Sequence, residues 1–568
     1  MRGGIMVCGT TSDAGKTVVV AGLCRLLARQ GIRVAPFKAQ NMALNSYVTT
    51  DGAEIGRAQA FQAAGAGIEP EAAMNPILLK PTGERRSQVV VMGKAQGDSD
   101  AMSYQARKEM LWPVVTGALD ELRRRYDVVV CEGAGSPAEI NLADHDIVNL
   151  RVADHAGFRA LVVGDIEKGG VFAGLFGTHA LVPDRYRPLI SGFVINRFRG
   201  DPELLKPGLD QIHQRTGVPV LGVVPRLDDL AIDAEDSLAL ASWANPHSGK
   251  SSFPDSDVLG SYVDGDVLGS DVPDRDVLGS DVLDVAVVAF PRISNFTDFD
   301  PLRAEPNLSV RLVADGRRLG RPDLVILPGS KSTVADLDWL RSVGLESAIR
   351  SARDGGTWVL GLCAGYQMLG HTIDDEVESG RGRVSGLGFL DVSTHFVPDK
   401  ITRRVSGRAM GENVTGYLIH HGRTTAGPGD EPWMVLDGLP EGAIRPPLAG
   451  TSLHGPVLGT SLHTAAVAGT SVPGPVLGTS LHGLFESDRL RSRFLGEVAR
   501  SRRRTFVASA LSFETRRQAQ LDRVADALAT HLDMAFIENL IRQGSGPSGD
   551  ALAGDGHQPG VPTREGCL

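Results

Sequence analysis

The residues GTTSDAGKT at 9–17 constrain the fold more than any other stretch, because they join an apolar run, GIMVCG, to a helical pattern, AGLCRLLARQG. A glycine-rich turn from strand to helix is how a parallel α/β sheet offers backbone N–H groups to phosphate. Gly9 and Gly15 admit the tight backbone, Lys16 reaches for β/γ-phosphate oxygens, and Thr17 offers its hydroxyl to Mg²⁺. Five residues separate the two glycines, one more than the common interval, and Thr10 stands where that pattern has Gly. With Asp13, these residues make up an expected ATP site. Further on, RVAPFKA, DVVVCEG, ALVVGD, GFVINR and VLGVVP each end in Gly, Pro or a polar residue. That is the pattern of parallel strands whose C-terminal ends face a ligand.

Several polar residues fall at those ends. Glu132 closes VVVCEGAG, where an acid holding magnesium belongs. Asp51 and Glu54 in TTDGAEIGRAQA offer a further ligand, against the plainer reading of a helix N-terminal acid. The expected metal set is Thr17, Asp51 and Glu132. Asp165, Glu167 and Lys168 in GDIEKGG lie at the same sheet edge, and Asn196 in GFVINR is placed either to read an adenine edge or to serve as a plain turn residue.

A second α/β pattern begins at VAVVAFP and continues through DLVILPGSKST to TWVLGLCAGYQMLG. Gly361 and Gly365 flank Cys363 as small residues flank a nucleophile on a strand-to-helix turn. A thiol there meets a helix N-terminus, which favours the thiolate. Cys8, Cys24 and Cys131 read instead as small buried hydrophobes. The N–H groups near Gly329 and at Ala364 form an expected oxyanion hole. Three histidines, His454, His463 and His482, follow TSL; only His482 continues into HGLFE, and it is taken as the base. Many amidotransferases carry Glu two residues after this histidine, but Leu484 stands there. The ring is therefore expected to be oriented by Glu486, or to work with Cys363 as a dyad.

The 58 basic and 68 acidic residues leave a formal charge of −10, which provides no basic footprint for nucleic acid. Five irregularly spaced cysteines fit no disulfide framework and no CxxC zinc site. The start runs into a strand without an apolar leader, and no apolar run approaches membrane-spanning length, so a cytoplasmic protein is expected. The organisation expected is 1–240, a phosphate-loop domain; 241–283, a linker with DVLGS at 257–261, 266–270 and 276–280; 284–490, the cysteine domain, interrupted by GPVLGTSLH at 455–463 and again at 474–482; 491–542, a helical segment; and 543–568, a disordered tail.

The long phosphate loop resembles that of dethiobiotin-synthetase-like ligases, and the second half resembles class I glutamine amidotransferases. Together with KAQNMALNSYVTTDGAEIGRAQA, MNPILLKP, EGAGSPAEINL, DIEKGGVFA, GFVINRFRGD, PGSKST, GLCAGYQMLG, HHGRT and LHGLF, the chain resembles the cobyric acid synthase family. The resemblance spans roughly 1–230 and 285–490 and leaves out the repeats and the tail. It implies two parallel-sheet α/β domains and amidation of the b, d, e and g carboxylates of adenosylcobyrinic acid a,c-diamide. ATP and Mg²⁺ would activate the acid, and glutamine would supply nitrogen. Cobalt would belong to the corrinoid substrate. Lys38, Gln40, Asn41, Asn45 and Ser46, after a strand end, are the expected corrinoid and acyl-phosphate contacts. Leu418 in GYLIHHGRT departs from the family's usual Glu. The alternatives are the sibling cobyrinic acid a,c-diamide synthase, against which EGAGSPAEINL and KAQNMALNS argue; a partitioning-type ATPase switch, against which Cys363 argues; and a paralogue whose glutaminase the duplications have broken.

Overall fold

Six parallel strands make the first sheet of the computed structural model, in the order Val220–Pro225, Ile190–Phe198, Arg159–Asp165, Gly3–Gly9, Val128–Glu132, Val34–Phe37. Their near-continuous apolar runs are what burial on both faces requires; Ile5, Met6, Val7 and Cys8 are all inaccessible to solvent. The structure describes residues 1–83, 86–227, 230, 282–445 and 472–544. The DVLGS linker, the first two TSLH histidines and the tail from 545 lie outside the described residues.

The second sheet runs Leu308–Val313, Leu283–Val288, Leu324–Leu327, Trp358–Leu362, Val476–Thr479, Ala443–Arg445, with only the last strand antiparallel to its neighbour. Both halves are thus α/β with parallel sheets. Antiparallel structure is added to each. The strand Val392–Ala409 pairs along its length with Glu412–Ala426, and Ile77–Gly83, Arg86–Val91 and Lys94–Asp100 form an antiparallel ladder beside Gln40–Met42. Among the described residues no helix is long and apolar enough to cross a membrane.

The C-terminal helices divide between the two cores. Asp488–Ser501 buries Leu490, Phe494, Leu495 and Val498 in the second-half core. Phe513–His531 and Met534–Gln543 cross back, and their Val524, Leu528, Ile537 and Ile541 pack with Ile5, Val20 and Leu23 of the first half. Gly22 permits this approach, since a Cβ there would stand 2.5 Å from Leu528 Cδ1. Arg25 completes the joint with a two-pronged contact to Asp522 at 2.8 and 3.0 Å. Leu528→Ala should therefore destabilise the phosphate-loop half by about 2–5 kcal/mol through cavity formation. Denaturant unfolding checks this; an unchanged midpoint would mean that the returning helix adds nothing to that core.

Candidate active sites

The loop after Gly3–Gly9 is built as its glycines require. Thr10 N donates to Val163 O at 2.9 Å, and Gly15 adopts φ 93°, a left-handed conformation that favours glycine. A Cβ on Gly15 would lie 2.1 Å from Asn196 Nδ2. That amide donates to Ala14 O at 3.0 Å, so Asn196 braces the loop instead of standing free for an adenine edge. Lys16 Nζ donates to the carbonyls of Thr11 and Ser12 at 2.8 and 2.9 Å, which holds the ammonium over the loop. Thr17 Oγ1 donates to Glu132 Oε1 at 2.9 Å. A hydroxyl and a carboxylate so placed beside a phosphate loop are hard oxygen donors suited to Mg²⁺. Asp13 is held by Arg197 at 3.1 Å and Lys168 at 3.4 Å. Burial opposes its charge, but these cations bring its carboxyl below the usual range. Arg197, with φ 61° and a second contact to Asp165 at 2.9 Å, is a loop clamp that no local sequence pattern marks.

Asp51 does not join this set. It is exposed in the turn after Thr49 and accepts a hydrogen bond from the Thr49 hydroxyl. Its neighbour Glu54 is buried between Lys80 at 2.6 Å and Lys400. Burial disfavours the Glu54 charge, yet the two ammonium groups hold its pKa far below the carboxylate range. The metal expectation therefore contracts to Thr17 and Glu132.

The polar run is also reassigned. Lys38 is 3.0 Å from Glu132, and Gln62 donates to the other carboxylate oxygen. Gln40 accepts from the Tyr104 hydroxyl, and Asn41 Nδ2 donates to Gln59 at 2.9 Å. Asn45 and Ser46 face the other half: Ser46 N donates to Asn295 Oδ1 at 2.8 Å and Phe296 N to Asn45 Oδ1 at 3.1 Å. These two residues are buried in a clasp between the halves. A buried polar atom needs a partner, and here the partner comes from the second half.

The second site forms where Trp358–Leu362 turns into the helix Ala364–Leu369. Cys363 sits at the turn with φ 51° and ψ −107°, a strained conformation for a residue with a side chain. The flanking glycines follow from close packing: a Cβ on Gly365 would lie 1.9 Å from Leu327 O, and one on Gly361 would lie 2.6 Å from Leu369 Cδ1. Gly329 stands on the adjoining strand end, where a Cβ would be 3.2 Å from His482 Cε1. The two residues expected to form the oxyanion hole, Gly329 and Ala364, thus lie at the ends of neighbouring strands around the histidine and cysteine. Ser330 donates to the buried Asp336 at 2.5 Å and accepts from Ser332 N at 2.9 Å, which fixes the 329–332 loop. Burial pushes the Asp336 carboxyl up to about 6.

His482 is almost wholly buried, and its ring stacks on Tyr417 with centroids 5.4 Å apart. Its Nδ1 meets Asp298 Oδ2 at 2.7 Å, Asp298 Oδ1 accepts from Gly483 N at 2.9 Å, and the Cys363 thiol donates to Ile419 O at 3.9 Å. Burial alone would strip the ring of its proton, but the Asp298 carboxylate and Cys363 outweigh it and hold the imidazole at about 10. Glu486 is not the orienting acid. It turns away to Arg57 at 2.6 Å, and Asp298 takes the role. Asp298 lies 184 residues from His482 along the chain, and NFTDFD carries no pattern that would single it out.

Asp298→Asn should lower glutamine hydrolysis by about 10²- to 10⁴-fold, as the ring loses both its orientation and its counter-charge. With Asp298 present the imidazolium persists until pH rises through about 10. Without it, the proton is lost at lower pH, so the alkaline limb of the glutaminase profile should move down. A profile with that limb unmoved would exclude Asp298 as the partner of His482.

Residues 5–239 match the CobQ/CobB/MinD/ParA nucleotide binding domain, and residues 284–490 match the CobB/CobQ-like glutamine amidotransferase domain. Among similar proteins, one called cobyric acid synthase in Frankia casuarinae is 48% identical over 97% of this chain and 98% of its own. Another so called in Saccharopolyspora erythraea is 49% identical over 96% of this chain and 95% of its own. A third, in Streptomyces coelicolor, is 47% identical over 96% and 97%. Similarity of this extent runs through both halves, from the phosphate loop to the cysteine turn, and the chain belongs to the cobyric acid synthase family of glutamine-dependent amide ligases.

Proposed function

We propose that this protein is a cobyric acid synthase of cobalamin biosynthesis, amidating the b, d, e and g carboxylates of adenosylcobyrinic acid a,c-diamide. The observation that carries the reading is the Cys363–His482–Asp298 arrangement in the same chain as the Thr17–Glu132 pair at a phosphate loop. In this reading residues 1–240 perform synthesis, 284–490 produce ammonia, and 241–283 link them.

In the second half the Cys363 thiolate attacks the carboxamide carbon of glutamine. The developing oxyanion is met by N–H groups at Gly329 and Ala364. His482, already protonated, gives its proton to the departing nitrogen, so ammonia leaves and a thioester remains. Formation of the thioester removes the negative sulfur that helped to hold the ring's proton. The neutral imidazole then accepts a proton from the water that releases glutamate.

A carboxylate resists attack by ammonia until one oxygen is phosphorylated. In the first half Lys16 and the loop N–H groups would hold the phosphates of ATP, and Thr17 and Glu132 would hold Mg²⁺, which neutralises charge on the transferring group. A corrinoid carboxylate oxygen takes the γ-phosphoryl group with release of ADP. Ammonia attacks the acyl carbon and phosphate departs. A shielded path between the two halves would keep ammonia from bulk water and protonation.

Mass analysis of corrinoid products tests the assignment. Incubation with ATP, glutamine and the a,c-diamide should yield four new amides. Amidation of cobyrinic acid at a and c, with the diamide left untouched, would identify the sibling diamide synthase activity instead.

A further inference from the structure

We propose that Arg57, contributed by the ATP-binding half, is a positioning residue for glutamine hydrolysis in the other half; this rests on reading Cys363 and His482 as the glutaminase. Arg57 opens the helix Arg57–Gly65 and is 2% exposed. Its guanidinium makes two contacts that converge on His482. The first is Nη2 to Glu486 Oε1 at 2.6 Å. Glu486 belongs to the turn that follows His482, with its N–H on Gly483 O at 3.0 Å, while Gly483 N donates to Asp298. Holding Glu486 therefore holds the turn through which Asp298 grips the histidine.

The second contact runs through aromatic rings. Arg57 lies over the Tyr47 ring, 5.2 Å from its centroid, and Tyr47 meets Tyr417 edge-on at 5.3 Å. Tyr417 in turn stacks on His482. Tyr417 and His482 also exchange backbone hydrogen bonds, Tyr417 N to His482 O at 3.1 Å and His482 N to Tyr417 O at 2.9 Å. The Tyr417 hydroxyl donates to Ser46 O at 3.0 Å, and Arg57 N donates to Asn45 O at 3.1 Å. Arg57 thus touches both the aromatic stack beside His482, which Arg404 also braces from 5.1 Å over Tyr47, and, alone of the two, the turn after the histidine. Neither glutamine nor the thiol needs to touch Arg57.

The placement separates this role from a role in synthesis. Gln62, on the same helix, donates to Glu132 at the phosphate site. A residue acting there would alter use of every nitrogen source; Arg57 should alter use of glutamine alone. The test uses the full chain, with Arg57→Ala, Arg57→Lys and Glu486→Gln each assayed for glutamine hydrolysis and for synthesis driven by glutamine or by an ammonium salt. Arg57→Ala should lower kcat for glutamine hydrolysis about 10- to 100-fold, the scale of small misplacements of reacting groups. KM for glutamine should change far less, and ammonium-driven synthesis should stay within about twofold of wild type, the scatter expected of an uninvolved residue. Arg57→Lys should recover part of the loss, Glu486→Gln should reproduce it, and the double variant Arg57→Ala/Glu486→Gln should be no worse than Arg57→Ala, as expected of residues acting as one unit.

Equal losses with both nitrogen sources, or wild-type glutaminase in Arg57→Ala, would overturn the proposal. If Arg57→Ala does not fold, the kcat of Glu486→Gln decides in the same way. Loss of glutaminase in Cys363→Ala alongside normal hydrolysis in Arg57→Ala would reject this inference alone. Persistence of hydrolysis in Cys363→Ala would reject the site on which it rests.

Discussion

Cys363→Ala is expected to abolish glutamine hydrolysis and glutamine-driven amidation while ammonium salts still support synthesis. The sulfur is the atom that forms the thioester, and removal of a nucleophile costs at least about 10³-fold. Nothing in the first half depends on it, because ammonia supplied from solution enters after the step that Cys363 performs. Ammonium-driven synthesis should rise with pH, since only the unprotonated amine has a free electron pair. Steady-state assays with each nitrogen source check this. Loss of both activities in a folded variant would contradict the division between the two halves.

Lys16→Ala should give the opposite pattern. Its ammonium lies over the phosphate loop, held by the Thr11 and Ser12 carbonyls, and is the group positioned to meet charge on a transferring phosphoryl group. Its removal should lower synthesis from either nitrogen source by about 10²- to 10³-fold, the usual effect of losing one aimed electrostatic group. Basal glutamine hydrolysis at Cys363 should survive. Ammonium-driven synthesis at the wild-type rate would show that phosphoryl activation does not take place at this loop.

The parts of these sites that could be read from the chain are those whose geometry is local. Gly9 and Gly15 announce the phosphate loop, and Gly361 and Gly365 announce the cysteine turn, because a Cβ at Gly9 or Gly361 would collide with atoms only a few residues on, Thr11 O at 2.8 Å and Leu369 Cδ1 at 2.6 Å. The strand pattern was legible for a similar reason, since parallel strands buried on both faces leave short apolar runs ending in turn residues. Partners brought together by tertiary structure were not legible. Asp298 reaches His482 across 184 residues, while the nearer Glu486 is drawn off by Arg57. Asn45 and Ser46 look like ligand contacts because polar residues after a strand usually face a crevice. Here the crevice is closed by Asn295 and Phe296. The return of Phe513–His531 to the first core was equally hidden, as an amphipathic helix does not state which core it covers.

If the two halves act as one machine on a corrinoid acid, nitrogen should pass from glutamine to the corrinoid without mixing with solvent. A direct test is to supply glutamine labelled with ¹⁵N in its amide, together with ATP, the a,c-diamide and unlabelled ammonium salt at a concentration too low to support synthesis in Cys363→Ala, and to measure the label in the corrinoid amides. Label is expected to enter the b, d, e and g amides largely undiluted, with one glutamate and one ADP formed per amide. Glutamate and ADP formation without labelled amides, or amides carrying mainly unlabelled nitrogen from solution, would contradict that transfer.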